Sequence, residues 1–342
     1  MLPSETSRDA MRLLVEEKVL SAVRRCLGVS SDARKRVEAM DALVDVTTQL
    51  PLRNIELWER RIRAEVWDFE RKQPKSRWMF LKPQPRVPGW LDMAHGDGFK
   101  RERTLRTLNA GAPNGFFFVL ALRRLNDWVP QVRAAAREQL PRISDHTDVT
   151  YVVDALWATL PHFSQWGRVE DASRRVLLDL VARGAVASML KTRLIESASG
   201  PATAVLTQAG RVPALDPWLL DIASAATQPT VRARAYRALL DGKMAWPVGR
   251  RWKWTDKKWC KGHFEPILEE RVIQASQPFR KLLAQAVEDR SLHVRRVAAE
   301  ALIRNPEAAG SDAQQLAARL AGDSHASVAE RGRFVLAELG NV

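Results

Sequence analysis

The chain has 342 residues, 46% hydrophobic and 27% charged, an ordinary globular composition with enough length for one large core or two medium ones. Its longest purely apolar run, Phe116 to Leu122, falls far short of the ~20 residues that span a bilayer, so no membrane segment is expected. The net charge of +14 comes from 54 basic residues, 41 of them arginine, against 40 acidic ones. It favours acidic or phosphate-rich partners. The plainer reading is the arginine and alanine habit of a GC-rich genome, with the charge as solvated surface.

The N-terminus lacks a basic start followed by an apolar stretch, so no secretory signal is expected. Cys26 and Cys260 lie too far apart for a disulfide framework, and a cytoplasmic location is the simplest expectation.

Three helices are predicted first, as an N-terminal region over 1–72. Met11, Leu14, Val15, Val19, Ala22, Val23 and Cys26 recur at three- and four-residue steps and stop at Gly28. A second stripe runs from Val37 to Leu50 and stops at Pro51. A third joins Ile55, Trp58, Ile62, Val66 and Phe69. Period-two alternation is hard to find anywhere, so few strands or none are expected.

Residues 73–98 form a break, with Pro74, Pro83, Pro85 and Pro88 and three glycines. Proline removes amide donors and glycine permits tight turns, so a long irregular connection is expected. Lys72, Lys75, Arg77, Trp78, Lys82, Arg86 and Trp90 give its surroundings a basic, aromatic character. A strap packed over the helices and a partner contact both fit.

A repeat follows. It reads DWVPQVRAAAREQL from Asp127 to Leu140, DRSLHVRRVAAEAL from Asp289 to Leu302 and DSHASVAERGRFVL from Asp323 to Leu336. In each, Asp leads Val by five residues and Val leads Leu by eight. Eight residues are just over two helical turns, so Val and Leu share a face. TVRARAYRALL, from Thr230 to Leu240, keeps the Val231-to-Leu239 interval but lacks the Asp. Val294 to Val328 is 34 residues, and Val132 to Val231 is 99, room for three units of about 33. RVEDASRRVLLDL, from Arg168, is a weaker copy inside that gap. Val132, Val231, Val294 and Val328 are predicted to be buried in equivalent positions.

Asp127-x5-Arg133 and Asp289-x5-Arg295, each with Val before the Arg, resemble HEAT repeats, including HEAT-like bacterial repeat proteins, over roughly residues 99–342. The resemblance implies an all-α fold, a right-handed α-solenoid of helix pairs. It also implies a structural ladder built by the Asp and Arg of successive repeats. Ala329 stands in the Arg slot of the third copy, so the ladder is expected to end there. Arg133 and Arg295 then read as structural. Arg137, Arg234, Arg237 and Arg296, off the ladder, read as freer to contact a partner.

The segment Met244 to Phe264 interrupts the repeat phase. It sets Trp246, Trp252, Trp254 and Trp259 among Arg250, Arg251, Lys253, Lys257, Lys258 and Lys261. Aromatic faces can stack on bases while cations neutralise phosphate. The same tryptophans could instead anchor a loop, and the alternation of Trp252 and Trp254 about Lys253 suits a short strand or hairpin.

Catalytic chemistry finds little support. Cys260 and His263 are half of a zinc-like spacing with no second pair nearby. His95-Gly96-Asp97 reads as a turn, and no phosphate-cradling glycine loop, G-x-S-x-G or H-E-x-x-H is present. No metal and no cofactor is expected. The leading expectation is a non-enzymatic scaffold whose basic concave surface recognises an acidic protein or a nucleic acid. The alternative is a HEAT-like DNA glycosylase acting on alkylated bases, drawing on Asp127 and Trp128, or on Trp254, Asp256 and Trp259.

Overall fold

The computed structural model describes residues 5–29, 32–72 and 89–340 and is mostly helical. The chain divides into two compact units. One holds the chain up to Thr159 together with Trp166–Leu180; the other holds Leu160–Gln165 and the chain from Val181 onward. Among the described residues no helix is long and apolar enough to cross a membrane.

The first unit contains α1 (Glu5–Gly28), α2 (Ala33–Thr48), α3 (Ile55–Lys72), α4 (Gly98–Thr107), α5 (Gly115–Arg123), α6 (Pro130–Asp145), α7 (Val149–Thr159) and most of α8 (Asp171–Ala182). The apolar run Phe116 to Leu122 is the body of α5, buried on every side. A helix apolar all round has no face to offer water and must sit inside its neighbours. Asn114 places it: its Oδ1 accepts from the Phe117 amide, while its Nδ2 donates to the Val44 carbonyl and the Thr47 hydroxyl on α2. Glu59 of α3 accepts from Arg63, Arg123 and Arg124. These bonds tie α2 and α3 to α5, so the three N-terminal helices and α4–α7 form one unit across the proline-rich connection. Most of that connection, including Lys75, Arg77, Trp78, Lys82 and Arg86, lies outside the described residues. At its end, Trp90 is buried against Phe117.

The second unit contains α9 (Gly184–Glu196), α10 (Ala202–Ala209), α11 (Leu219–Ala225) and α12 (Pro229–Asp241). An antiparallel hairpin follows, β1 (Lys243–Asp256) and β2 (Lys261–Val272). The chain then continues through α13 (Phe279–Val287), α14 (Leu292–Arg304), α15 (Pro306–Ala309), α16 (Ala313–Ala321) and α17 (Ala326–Gly340). Helices pack as neighbours in sequence, α11 on α12, α13 on α14 and α16 on α17. The second members also pack on one another, α12 on α14 and α14 on α17. Val132, Val231, Val294 and Val328 are all fully buried near the starts of α6, α12, α14 and α17.

The same helix starts carry a repeated arginine bond. On α12, Arg232 donates through Nη1 to the Ala226 carbonyl, six residues earlier, and through Nε and Nη2 to Asp289, just before α14, at 2.9 and 3.0 Å. On α14, Arg295 donates to the Asp289 carbonyl and to Asp323, just before α17. The first unit repeats this arrangement. Arg101 on α4 donates to the His95 carbonyl and, bidentately, to Asp127. Arg133 on α6 donates to the Asp127 carbonyl and to Glu170, before α8. Each receiving aspartate also accepts from an amide two residues on: Val129 for Asp127, Ser291 for Asp289 and His325 for Asp323. One carboxylate thus caps a turn and receives a guanidinium from an earlier, non-adjacent helix, α4 for Asp127, α12 for Asp289 and α14 for Asp323. The hydrogen bond from Arg295 holds the Asp323 carboxyl below the usual range against the opposing effect of burial.

The cost of breaking these pairs depends on burial, because removing one partner strands the other charge away from water. Arg101 and Arg232 are buried, whereas Glu170, the partner of Arg133, is half exposed. Arg232→Ala is therefore expected to lower unfolding free energy by roughly 3–5 kcal/mol, and Arg133→Ala by about 1 kcal/mol or less, measured by urea denaturation. Equal effects would show that burial of the pair does not set its contribution. Glu59 supplies a pH test. Burial pushes its carboxyl up, but the charges of Arg124 and Arg123 prevail and hold it at about 2, against an ordinary 4.5. A depressed folded-state value stabilises fully above pH 4.5, and that stabilisation is lost as pH falls toward 2. Glu59→Gln is expected to destabilise strongly at pH 7 and to differ little from the parent near pH 2, measured by thermal unfolding across that range.

Candidate functional site

The segment Met244–Phe264, singled out in the sequence, is the larger part of the hairpin, which extends from Lys243 to Val272. These two strands fall within the expectation of few strands or none, and a hairpin lies where the alternation of Trp252 and Trp254 about Lys253 suggested one. Its base is anchored. Met244 is fully buried and its side chain lies on Gly210, where an added Cβ would stand 2.8 Å from Met244 Cγ. Trp246 is buried, donates from Nε1 to Glu269 and carries the Arg211 guanidinium over its ring. Arg271 donates to the Gly210 and Val212 carbonyls and, bidentately, to Asp216. Arg234 donates to the Ala245 carbonyl and the Thr207 hydroxyl.

Beyond that base the ribbon is exposed on both sides. A lone two-stranded ribbon is marginal in water, so cross-strand contacts must compensate. Trp252 is paired in register with Phe264, ring centroids 4.9 Å apart, and meets Trp254 edge to face at 5.5 Å. Such ring pairs contribute about 0.5–1.5 kcal/mol each beyond their buried area. The turn Lys257–Cys260 is closed by Asp256, whose Oδ1 accepts from the Lys258 and Trp259 amides.

The register separates the distal ribbon into two faces. Residues paired across an antiparallel ladder point to the same side, and successive residues alternate. Trp252, Trp254, Phe264, Arg250 and Pro266 share one face. Arg251, Lys253, His263 and Glu265 share the other. On this second face Glu265 lies 2.6 Å from Lys253, 3.5 Å from His263 and 3.7 Å from Arg251. The hydrogen bond from Lys253 holds its carboxyl below the usual range. Arg250, Lys257, Lys258 and Lys261 have no carboxylate within ion-pair distance among the described residues. Trp252, Trp254 and Trp259 are 42%, 49% and 67% exposed.

Each of the four arginines assigned to partner contact on the helices has a partner within the chain. Arg137 pairs with Glu170 and reaches Ser173. Arg237 and Arg296 both donate to Glu300, and Arg234 is part of the hairpin's anchor. Sequence reasoning missed Arg101, Arg232 and Arg271. Val231-Arg232 repeats the Val-Arg pair of the other copies and was the available signal for the second.

The aspartates that a glycosylase would draw on are engaged. Asp127 is buried, with both oxygens held by Arg101, Arg124 and the Val129 amide. Asp256 closes the hairpin turn. Among the described residues no three His, Cys, Asp or Glu side chains gather as a metal-binding group. No protein-family model matches the chain, and no curated protein is significantly similar to it in sequence.

Proposed function

We propose that this chain is a non-catalytic scaffold that binds nucleic acid through its basic hairpin, carried on HEAT-like helix pairs. The observation that carries this reading is the group Arg250, Lys257, Lys258 and Lys261, exposed on the distal ribbon and turn with no carboxylate partner among the described residues. A cation not neutralised by its own chain is available to neutralise phosphate and release the counterions condensed there. Exposed tryptophans beside such cations add area that can stack on bases. The right-handed solenoid belongs to this proposal. The buried valines at equivalent helix starts and the recurring arginine-to-carboxylate bond support it.

The other occupant in view is an acidic protein, and one experiment separates the two. The full chain and its Lys257→Ala/Lys258→Ala variant are titrated with single-stranded and duplex oligonucleotides across a salt series. The expected result is binding by the parent near physiological salt and weaker binding by the variant. The variant's log–log salt slope should be smaller by about one per lost phosphate contact. No binding of either oligonucleotide by the parent would overturn the reading and leave the acidic protein as the occupant.

A further inference from the structure

We infer that the aromatic face of the hairpin, Trp252, Trp254 and Phe264 beside Arg250, is a stacking platform for a short run of unpaired nucleotides. This rests on the nucleic-acid reading and names the form of nucleic acid it serves.

The two distal faces differ in the chemistry they leave unused. On one, Glu265 already gathers Lys253 and Arg251, with His263 beside it, so those two cations have an internal partner. On the other, Trp252 meets both Trp254 and Phe264 edge to face, with Arg250 one pair further along and no carboxylate on that stretch. The lysines of the turn, which have no carboxylate partner among the described residues, lie at its far end, Lys258 with its ammonium over the Trp259 ring. A ligand suited to this face carries negative charge and flat apolar surface together. A nucleotide strand does so when its bases are unpaired. A duplex hides its base faces in its own stack and offers rings only groove edges.

The platform is also built. Gly262 is the cross-strand partner of Trp254, and the Trp252 indole lies over it. An added Cβ at Gly262 would stand 2.7 Å from two Trp252 ring atoms and 2.6 Å from the Lys253 carbonyl oxygen. Neither the indole nor the backbone can yield cheaply, so glycine at 262 is what lets Trp252 occupy this place. Addition of a third strand from a protein partner is disfavoured. Pro247 and Pro266 sit within β1 and β2, and a proline in a strand turns its donor-less nitrogen to the open edge. An extra residue, Val248, also breaks the regular register of β1.

The test uses the full chain with a fluorescein-labelled oligothymidylate, which has no secondary structure, and a labelled duplex of equal length, read by anisotropy. Anionic phospholipid vesicles serve as a third probe. The expected result is tighter binding of the single strand than of the duplex near physiological salt. Trp254→Leu should weaken single-strand binding by about 5- to 150-fold, the range for loss of one stacked base, with its salt slope unchanged. Trp254→Phe should recover part of the loss. Gly262→Ala should weaken the single strand in the same way by displacing Trp252, and circular dichroism should show helix content unchanged in all three variants. Should the Leu variant lose the hairpin, the Phe variant still decides, because it keeps a ring. Equal affinity for both oligonucleotides, with Trp254→Leu and Gly262→Ala without effect, would overturn the platform while nucleic-acid binding stands. Binding of vesicles alone, or of neither oligonucleotide, would overturn both.

Discussion

A buried guanidinium is tolerated in a helical core only if every donor finds an acceptor, and this requirement organises the helix starts of the chain. Arg101 and Arg232 each direct one nitrogen to a carbonyl of their own turn and two to a carboxylate that precedes the helix after next, α6 and α14 respectively. The local bond fixes how the chain enters the helix, and the second places the next turn beside it. Because Asp289 both receives Arg232 and lends its carbonyl to Arg295, one residue couples two successive links. In the first unit Asp127 has the same double role between Arg101 and Arg133, and Arg124 ties it to Glu59. These bonds are directional, whereas apolar packing alone would tolerate sliding of one helix pair against the next.

The hairpin leaves this frame where α12 ends and returns before α13, so the frame can hold a ribbon that would not persist alone. Arg234 and Arg271 are part of that hold: their donors go to backbone carbonyls, Thr207 and Asp216 at the ribbon's base. The division of labour follows from position. Arginines near the helices have carboxylates and carbonyls within reach, as Arg237 and Arg296 have Glu300. At the far end of the ribbon Arg250, Lys257, Lys258 and Lys261 have no carboxylate within ion-pair distance among the described residues.

The helical character and the insertion were legible in the sequence because both leave periodic marks. The eight-residue interval from Val to Leu needs only one strand of sequence to be seen, and the 63 residues from Val231 to Val294 exceed one unit. The full set of arginine bonds was not legible, for a chemical reason. The residue six before each arginine contributes its carbonyl, so His95 and Ala226 serve as well as aspartate. An aspartate is required there only to receive an earlier guanidinium. The pattern Asp-x5-Arg with Val before the Arg therefore marks Arg133 and Arg295 and passes over Arg101 and Arg232. Only the short stretch about Lys253 was legible as strand, because alternation marks a half-buried sheet, and here the distal ribbon exposes both faces while Val248 shifts its phase. The pairing of Arg137 with Glu170 links residues far apart in sequence and leaves no local mark.

The central claim is that the hairpin, rather than the helical surface, meets the partner's charge. Photocrosslinking of the full chain to a bound single-stranded oligonucleotide, with the attached peptides identified by mass spectrometry, tests it most directly. The account places the crosslinks on peptides covering Arg250–Phe264, with Trp252, Trp254 and Trp259 as attachment points. Crosslinks confined to helical peptides, with none in that stretch, would contradict it.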